Sequence, residues 1–160
     1  MNDKPQAQMI QAQNTLRLKV GGRFGGIDPT AIAKAEAALK SLSGNFTQWL
    51  NDEIAKLEAA RQTVRAEGIT DENMESLYLR AHDLKGLGAT YGFPLITRIA
   101  GLLCRLIDDK SKRHQAPMGL IDAHIDAIKA AARDDIKSED HPIGKVLVQE
   151  LEGRIKEFGA

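Results

Sequence analysis

The 160-residue chain has no excess of charge of either sign: Lys and Arg total 22, and Asp and Glu total 22. Without a net field, nothing draws it toward nucleic acid or an anionic membrane surface. A single cysteine, Cys104, excludes an intramolecular disulfide and fits a reducing cytoplasm. No apolar run approaches the ~20 residues that a bilayer span requires. Nor does the N-terminal Lys4 precede an apolar core of the roughly 7–15 residues that a secretory signal needs. None of the four histidines stands in a His-Glu-x-x-His or Cys-x-x-Cys arrangement, so no metal site is expected. A phosphate-binding Gly-x-x-x-x-Gly-Lys-Ser/Thr loop, a dinucleotide fingerprint and the kinase catalytic-loop and Asp-Phe-Gly patterns are also lacking. The expectation is a cytoplasmic monomer that binds neither nucleic acid nor membrane and has no means of its own to bind ATP.

What is there centres on Ala81-His82-Asp83-Leu84-Lys85-Gly86-Leu87-Gly88-Ala89-Thr90-Tyr91-Gly92. A helix turns about 100° per residue, so positions three, four and seven apart share a face. Leu77, Ala81, Leu84, Gly88 and Tyr91 then form an apolar arc fit to face a core. His82, Lys85, Gly86 and Ala89 fall on the opposite side, with Tyr78 and Leu79 at its edges. An interior helical Gly costs about 1 kcal/mol relative to Ala. Gly86 and Gly88 together therefore point to close approach by something. Neutral imidazole, with an ordinary pKa of roughly 6.5, is a good nucleophile near neutral pH. A lone surface His beside a Lys is more commonly a solvated face, and here the two glycines and the apolar back face outweigh that reading.

Along the chain, Met1 to about Gly26 is rich in Gln and Gly and reads as a flexible tail, with Leu16–Val20 alternating like an isolated strand. Order is expected from Ile27-Asp28-Pro29, an N-cap followed by Pro at the first helical position. Ile32, Leu39 and Leu42 keep helical spacing up to an interruption at Ser43-Gly44-Asn45. A longer segment follows with Phe46, Trp49, Leu50, Ile54 and Leu57, in which Trp49 reads as a core anchor. The helix that carries His82 is expected from Thr70-Asp71 to about Tyr91. Gly92-Phe93-Pro94 breaks the chain and starts the next helix, whose stripe is Leu95, Ile99, Leu102 and Leu106.

That next helix also has a stripe of small residues, Thr97, Ala100, Gly101 and Cys104, while Arg98 and Arg105 point to solvent. The short connection implies an antiparallel hairpin. The small stripe could therefore lie beside the His82 face as a shallow docking patch, or simply pack against a neighbouring helix. Lys110 to Pro117 reads as a loop. Ile121, Ile125 and Ile128 mark a further helix with His124 on its side, a surface or edge position. His114 and His141 lie in polar, loop-like stretches. A last helix follows Pro142 with Leu147, Leu151, Ile155 and Phe158 on one face. The fold class is all-α: an antiparallel up-and-down four-helix bundle with an extra C-terminal helix and a flexible N-terminal tail.

His82, Leu84, Lys85, Gly86 and Gly92 match the motif of the histidine-containing phosphotransfer (HPt) family, with Leu two, Lys three, Gly four and a further Gly ten positions after the His. The chain resembles that family over residues 27–133, within one domain of residues 27–160. The tail, residues 1–26, and the additional helix, about 142–158, lie outside the resemblance. It implies a phosphocarrier rather than an enzyme, in a two-component phosphorelay. His82 would be the nucleophile and carrier, Lys85 would offset phosphoryl charge, and Gly86 would clear the approach. The partners implied are receiver domains and a histidine kinase, with Mg²⁺ belonging to the receiver rather than to this chain.

The surface such partners would meet comprises Tyr78, Leu79, Ala89, Thr97, Gly101 and Cys104. Family members often carry a Gln or Glu that hydrogen-bonds the His ring, and the matching position here is Cys104, which is unsuited to that task. A helical adaptor that binds a receiver domain without carrying phosphate is the alternative. A hydrolase with His82 as general base lacks a nucleophile or paired carboxylate on the same stripe, apart from Glu75 two turns earlier.

Overall fold

The computed structural model describes residues 28–160, so the tail and its strand-like Leu16–Val20 lie outside the described residues. Among the described residues five α-helices follow in order: α1 Pro29–Glu67, α2 Asp71–Leu87, α3 Pro94–Ile107, α4 Met118–Arg133 and α5 Pro142–Phe158, with one 3₁₀ turn at Arg113–Gln115. Among the described residues there is no strand, and the fold is a helical bundle. No helix among them is long and apolar enough to cross a membrane.

The start signals act through local chemistry. Thr70 caps α2, its hydroxyl accepting from Asn73 N at 3.1 Å, and Asp71 and Glu72 fill the first turn. Pro94 stands at the start of α3 and Pro142 at the start of α5, where a missing N–H costs nothing. His141 caps α5 through Nδ1, which accepts from Ile143 N at 3.1 Å. The helix closes on Gly159 at φ 89°, a left-handed conformation that glycine adopts without strain.

The expected break at Ser43-Gly44-Asn45 does not occur, because α1 is one helix of 39 residues. One interior Gly costs about 1 kcal/mol, too little to interrupt a helix so rich in Ala and Leu. The chain nonetheless divides near that point into two compact units, one ending at Ser43 and the other spanning Gly44–Ala160. In the first unit Ile32, Leu39 and Leu42 are exposed on their helix.

In the second unit the core is built from Leu50, Leu57, Met74, Leu77, Leu84, Leu95, Ile99, Leu103, Ile121 and Ile155, all nearly or fully buried. Each such side chain contributes about 1.5–3 kcal/mol by leaving water. α3 is the central element, packing against α2, α4 and α5. Arg61 on α1 is buried and charge-paired: Glu58 holds it on its own helix, and Asp126 of α4 accepts from it at 2.7 Å. Arg61 and Lys129 hold the Glu58 carboxyl far down, at about 2.

Two expectations are corrected here. Trp49 is not a core anchor; it is 44% exposed. It stacks at the surface with Phe46 and Tyr91, at centroid distances of 5.7 and 6.0 Å. His124 is not a surface histidine; it is fully buried on α4. Ile121, Ile125 and Ile128 flank it, so the buried band of α4 is wide enough to take in its side.

Candidate functional site

Regular α2 ends at Leu87 rather than near Tyr91, and residues 88–92 continue as turns. The motif's last glycine explains the change of direction. Gly92 has φ 90°, which a residue with a Cβ adopts only with strain, and it lets the chain double back into Pro94. Phe93 N donates to Gly88 O at 2.8 Å, and Thr97 Oγ1 accepts from Ala89 N at 2.7 Å, closing the end of α2 onto the start of α3.

The two other glycines differ in purpose. A Cβ on Gly88 would lie 2.7 Å from both the backbone N and Oγ1 of Thr97, so Gly88 permits α2 and α3 to close. A Cβ on Gly86 would meet nothing within 4 Å. Gly86 is therefore not required by internal packing and leaves open space on the solvent side.

α2 presents two opposed faces. Leu77, Ala81 and Leu84 are fully buried, while His82, Lys85, Gly86 and Ala89 are exposed. Among the described residues the His82 ring makes no hydrogen bond. Its ring neighbour is Tyr78, one turn earlier, at 6.0 Å between centroids. Arg80 and Asp83 pair beside it at 3.6 Å, a weak exposed contact.

Lys85 has no ion pair among the described residues, and its stem crosses α3. Its Cγ, Cδ and Cε atoms would each lie 3.9 Å from a Cβ on Gly101. The exposed ammonium is thus held on a stem laid against apolar surface.

The surrounding residues divide by exposure. Leu79 and Ala89 are open to solvent, and Tyr78, Thr97 and Gly101 are half-buried. Cys104 is buried, so it offers a partner no surface. Burial pushes its thiol up to about 11, with the nearby Lys85 charge acting in the opposite direction. A neutral, buried thiol is a poor nucleophile and a weak hydrogen-bond partner. Within the small stripe of α3, Ala100 is fully buried and packs inside the bundle, whereas Thr97 and Gly101 keep part of their surface.

Sequence reasoning missed the group beside this face. Arg113, in the expected loop, is 3% exposed. It donates to Glu75 Oε2 at 2.6 Å and to the Ile107 carbonyl at 2.9 Å, and its Cζ lies 5.3 Å from the Tyr78 ring centroid. Arg113 also holds the Glu75 carboxyl below its usual range, which commits that carboxylate to a structural pair rather than to proton transfer. No spacing rule links Glu75 to a loop residue 38 positions later, so nothing in the sequence signalled the pair. Elsewhere, His114 lies 2.8 Å from Asp71, and among the described residues no group of three or more His, Cys, Asp or Glu is placed to hold a metal.

The solvent face of α2 thus presents an exposed imidazole, a cation with no ion pair among the described residues and a glycine with open space over it. The Hpt domain model matches residues 41–135, more than half of the chain, so this chain belongs to the Hpt domain family. Hpt domains carry out histidine phosphotransfer in phosphorelays, as phosphocarriers without kinase machinery, and interact with kinases and receiver domains. The match begins at 41, within α1, and ends just past α4, leaving α5 outside it. No curated protein and no solved structure gave a match.

Proposed function

We propose that this protein accepts a phosphoryl group on His82 and passes it on, relaying it between a histidine kinase or receiver-domain aspartates of a two-component pathway. The observation that carries the reading is the solvent face of α2, where His82 stands exposed beside Lys85 and above the open space at Gly86, in a chain of the Hpt family.

The chemistry follows from those groups. The unprotonated ring nitrogen of His82 attacks phosphorus of a receiver aspartyl phosphate. The N–P bond forms as the P–O bond to the aspartate breaks, and the carboxylate leaves with its electron pair. The proton on the other ring nitrogen is free to pass to water, and transfer in the other direction reverses these steps. Catalysis of such a transfer is mostly positioning and charge neutralisation. Lys85 supplies charge from this chain, and Mg²⁺ comes with the receiver. The exposed Leu79 and Ala89 lie on the rim that a receiver covers, with the half-buried Tyr78, Thr97 and Gly101 behind them.

The absence of a carboxamide or carboxylate at Cys104 favours a second reading, a helical adaptor that binds a receiver domain and carries no phosphate. Incubation of the full chain with a panel of phosphorylated receiver domains and histidine kinases separates the two. The relay reading expects an acid-labile, base-stable label on this chain from at least one donor. Stable complexes with receivers that never yield such a label would leave the adaptor.

A further inference from the structure

The His82 ring has no hydrogen-bonding partner among the described residues, yet a transferable phosphoryl group must be presented in one direction. An exposed imidazole turns about two soft side-chain torsions and, unrestrained, samples several rotamers. The site that the family resemblance assigns to a ring-orienting Gln or Glu is filled by the buried Cys104. Something else must hold the ring, and one neighbour is itself firmly held.

That neighbour is Tyr78, one turn before His82 on the same helix. Residues four apart on a helix are side-chain neighbours. The two rings lie 6.0 Å apart between centroids with 41° between their planes, within the range of a tilted aromatic pair. Tyr78 is also held by Arg113, whose guanidinium stands over its ring, 5.3 Å from the centroid. Arg113 cannot drift: it is 3% exposed and donates to Glu75 Oε2 at 2.6 Å, the Ile107 carbonyl at 2.9 Å and the Asp108 carbonyl at 3.4 Å. Burial, and next the Asp108 side chain at the end of α3, push the Tyr78 hydroxyl above its ordinary range.

We infer that Tyr78, clamped by the buried Arg113, is the positioning residue that holds the His82 ring in the orientation used for phosphoryl transfer. The inference rests on the reading of His82 as the phosphate carrier, but the restraint itself is independent of phosphate. An exposed side chain is held only as well as its neighbour is held. Here the clamp joins α2 to the end of α3 and the turn after it, so the ring is referred to the bundle and not to one helix alone.

The test compares Tyr78→Ala and Tyr78→Phe with the unaltered chain, all checked for helicity. Side-chain NMR couplings and ring-to-ring Overhauser contacts report the His82 rotamer without any phosphate present. A single rotamer is expected in the unaltered chain and in Tyr78→Phe, which keeps the ring, and rotamer averaging in Tyr78→Ala. Single-turnover transfer to a receiver should fall about tenfold in Tyr78→Ala, since small misplacements of a reacting group cost rate steeply. Because Tyr78 also borders the docking surface, transfer is read at saturating receiver with affinity measured on the same variants, and the loss expected is in the reaction step itself. An unchanged His82 rotamer in Tyr78→Ala overturns the inference, as does a transfer defect that follows affinity alone. If the unaltered chain takes no phosphate, the carrier reading fails, and the rotamer comparison still decides whether Tyr78 restrains the ring.

Discussion

His82 and His124 lie on successive outer partners of α3, and their surroundings are opposite. On α2, His82 is exposed, opposite a buried face of Leu77, Ala81 and Leu84. On α4, His124 is fully buried, its Nδ1 2.7 Å from the Leu120 carbonyl and its Nε2 without a hydrogen-bond partner among the described residues. An unsatisfied buried polar atom costs about 1–3 kcal/mol, which the surrounding apolar band of α4 outweighs. The comparison teaches that position around the helix, and not the polarity of imidazole, decides which histidine meets water. The same residue type meets solvent on one helix and on the other is pushed by burial toward its neutral form.

The largest effect expected along this divide comes from filling the open side of α2. Gly86→Leu should leave the helix intact, since Leu is the better helix former and a Cβ there meets nothing within 4 Å. Transfer should fall on the order of a hundredfold, the scale set by about 1 Å of misplacement in a reacting pair. Circular dichroism alongside single-turnover transfer makes the check. Unchanged transfer in a folded variant would move the docking face away from Gly86.

Two residues on, the inner side of the same helix should respond in stability instead. Gly88→Ala forces a Cβ to within 2.7 Å of the Thr97 backbone, and overpacking of that kind costs about 1–3 kcal/mol. Urea melts would show a lowered midpoint with the transition still cooperative. A midpoint equal to that of the unaltered chain would mean that α2 and α3 separate there at no cost.

Lys85→Ala sharpens the exposed side. In the proposed relay the ammonium meets charge concentrated on the transferring phosphoryl group, so about tenfold should be lost from single-turnover transfer and much less from receiver affinity. Both are measured at one fixed salt concentration because exposed charges are screened. Lost affinity with normal transfer would make Lys85 a docking contact.

The smallest expected effect belongs to His124. Burial lowers its pKa, against a smaller opposing contribution from the Leu120 carbonyl. The unfolded chain then binds this proton more tightly than the folded one does. Stability from this group is complete above the unfolded pKa, near 6.5. It is lost as the pH falls through that value toward the folded one, by at most about 1.4 kcal/mol per pH unit. His124→Leu should flatten the melting temperature between pH 6.5 and 5.5. An equally steep variant would assign that slope to other groups.

Much of this arrangement was legible in the sequence because it is periodic or local. The Thr70-Asp71, Pro94 and Pro142 starts are one-residue signals with a backbone reason, and the two faces of α2 follow from spacing alone. The turn at Gly92 was legible as a break, with its left-handed φ as the cause. What escaped depends on which side of each helix finds a neighbour. The stripe of Ile121, Ile125 and Ile128 could not reveal how wide the buried band of α4 would be, so His124 was placed at its edge. Trp49 has the spacing of a core residue but meets Phe46 and Tyr91 at the surface. Arg113 lies in a polar stretch whose composition reads as loop. Its burial needs Glu75, Tyr78 and the end of α3 together, a long-range meeting with no local pattern.

The central claim is that the exposed imidazole of α2 carries the phosphoryl group. Its most direct test maps the label by mass spectrometry after transfer from a phosphorylated receiver, on the unaltered chain and on His82→Gln. The account predicts an acid-labile label on His82 alone and none on His82→Gln. The variant should remain folded, because an exposed substitution away from the core shifts stability by only about 0.5 kcal/mol. Normal phosphate uptake by folded His82→Gln, or a label found on another residue, would contradict it.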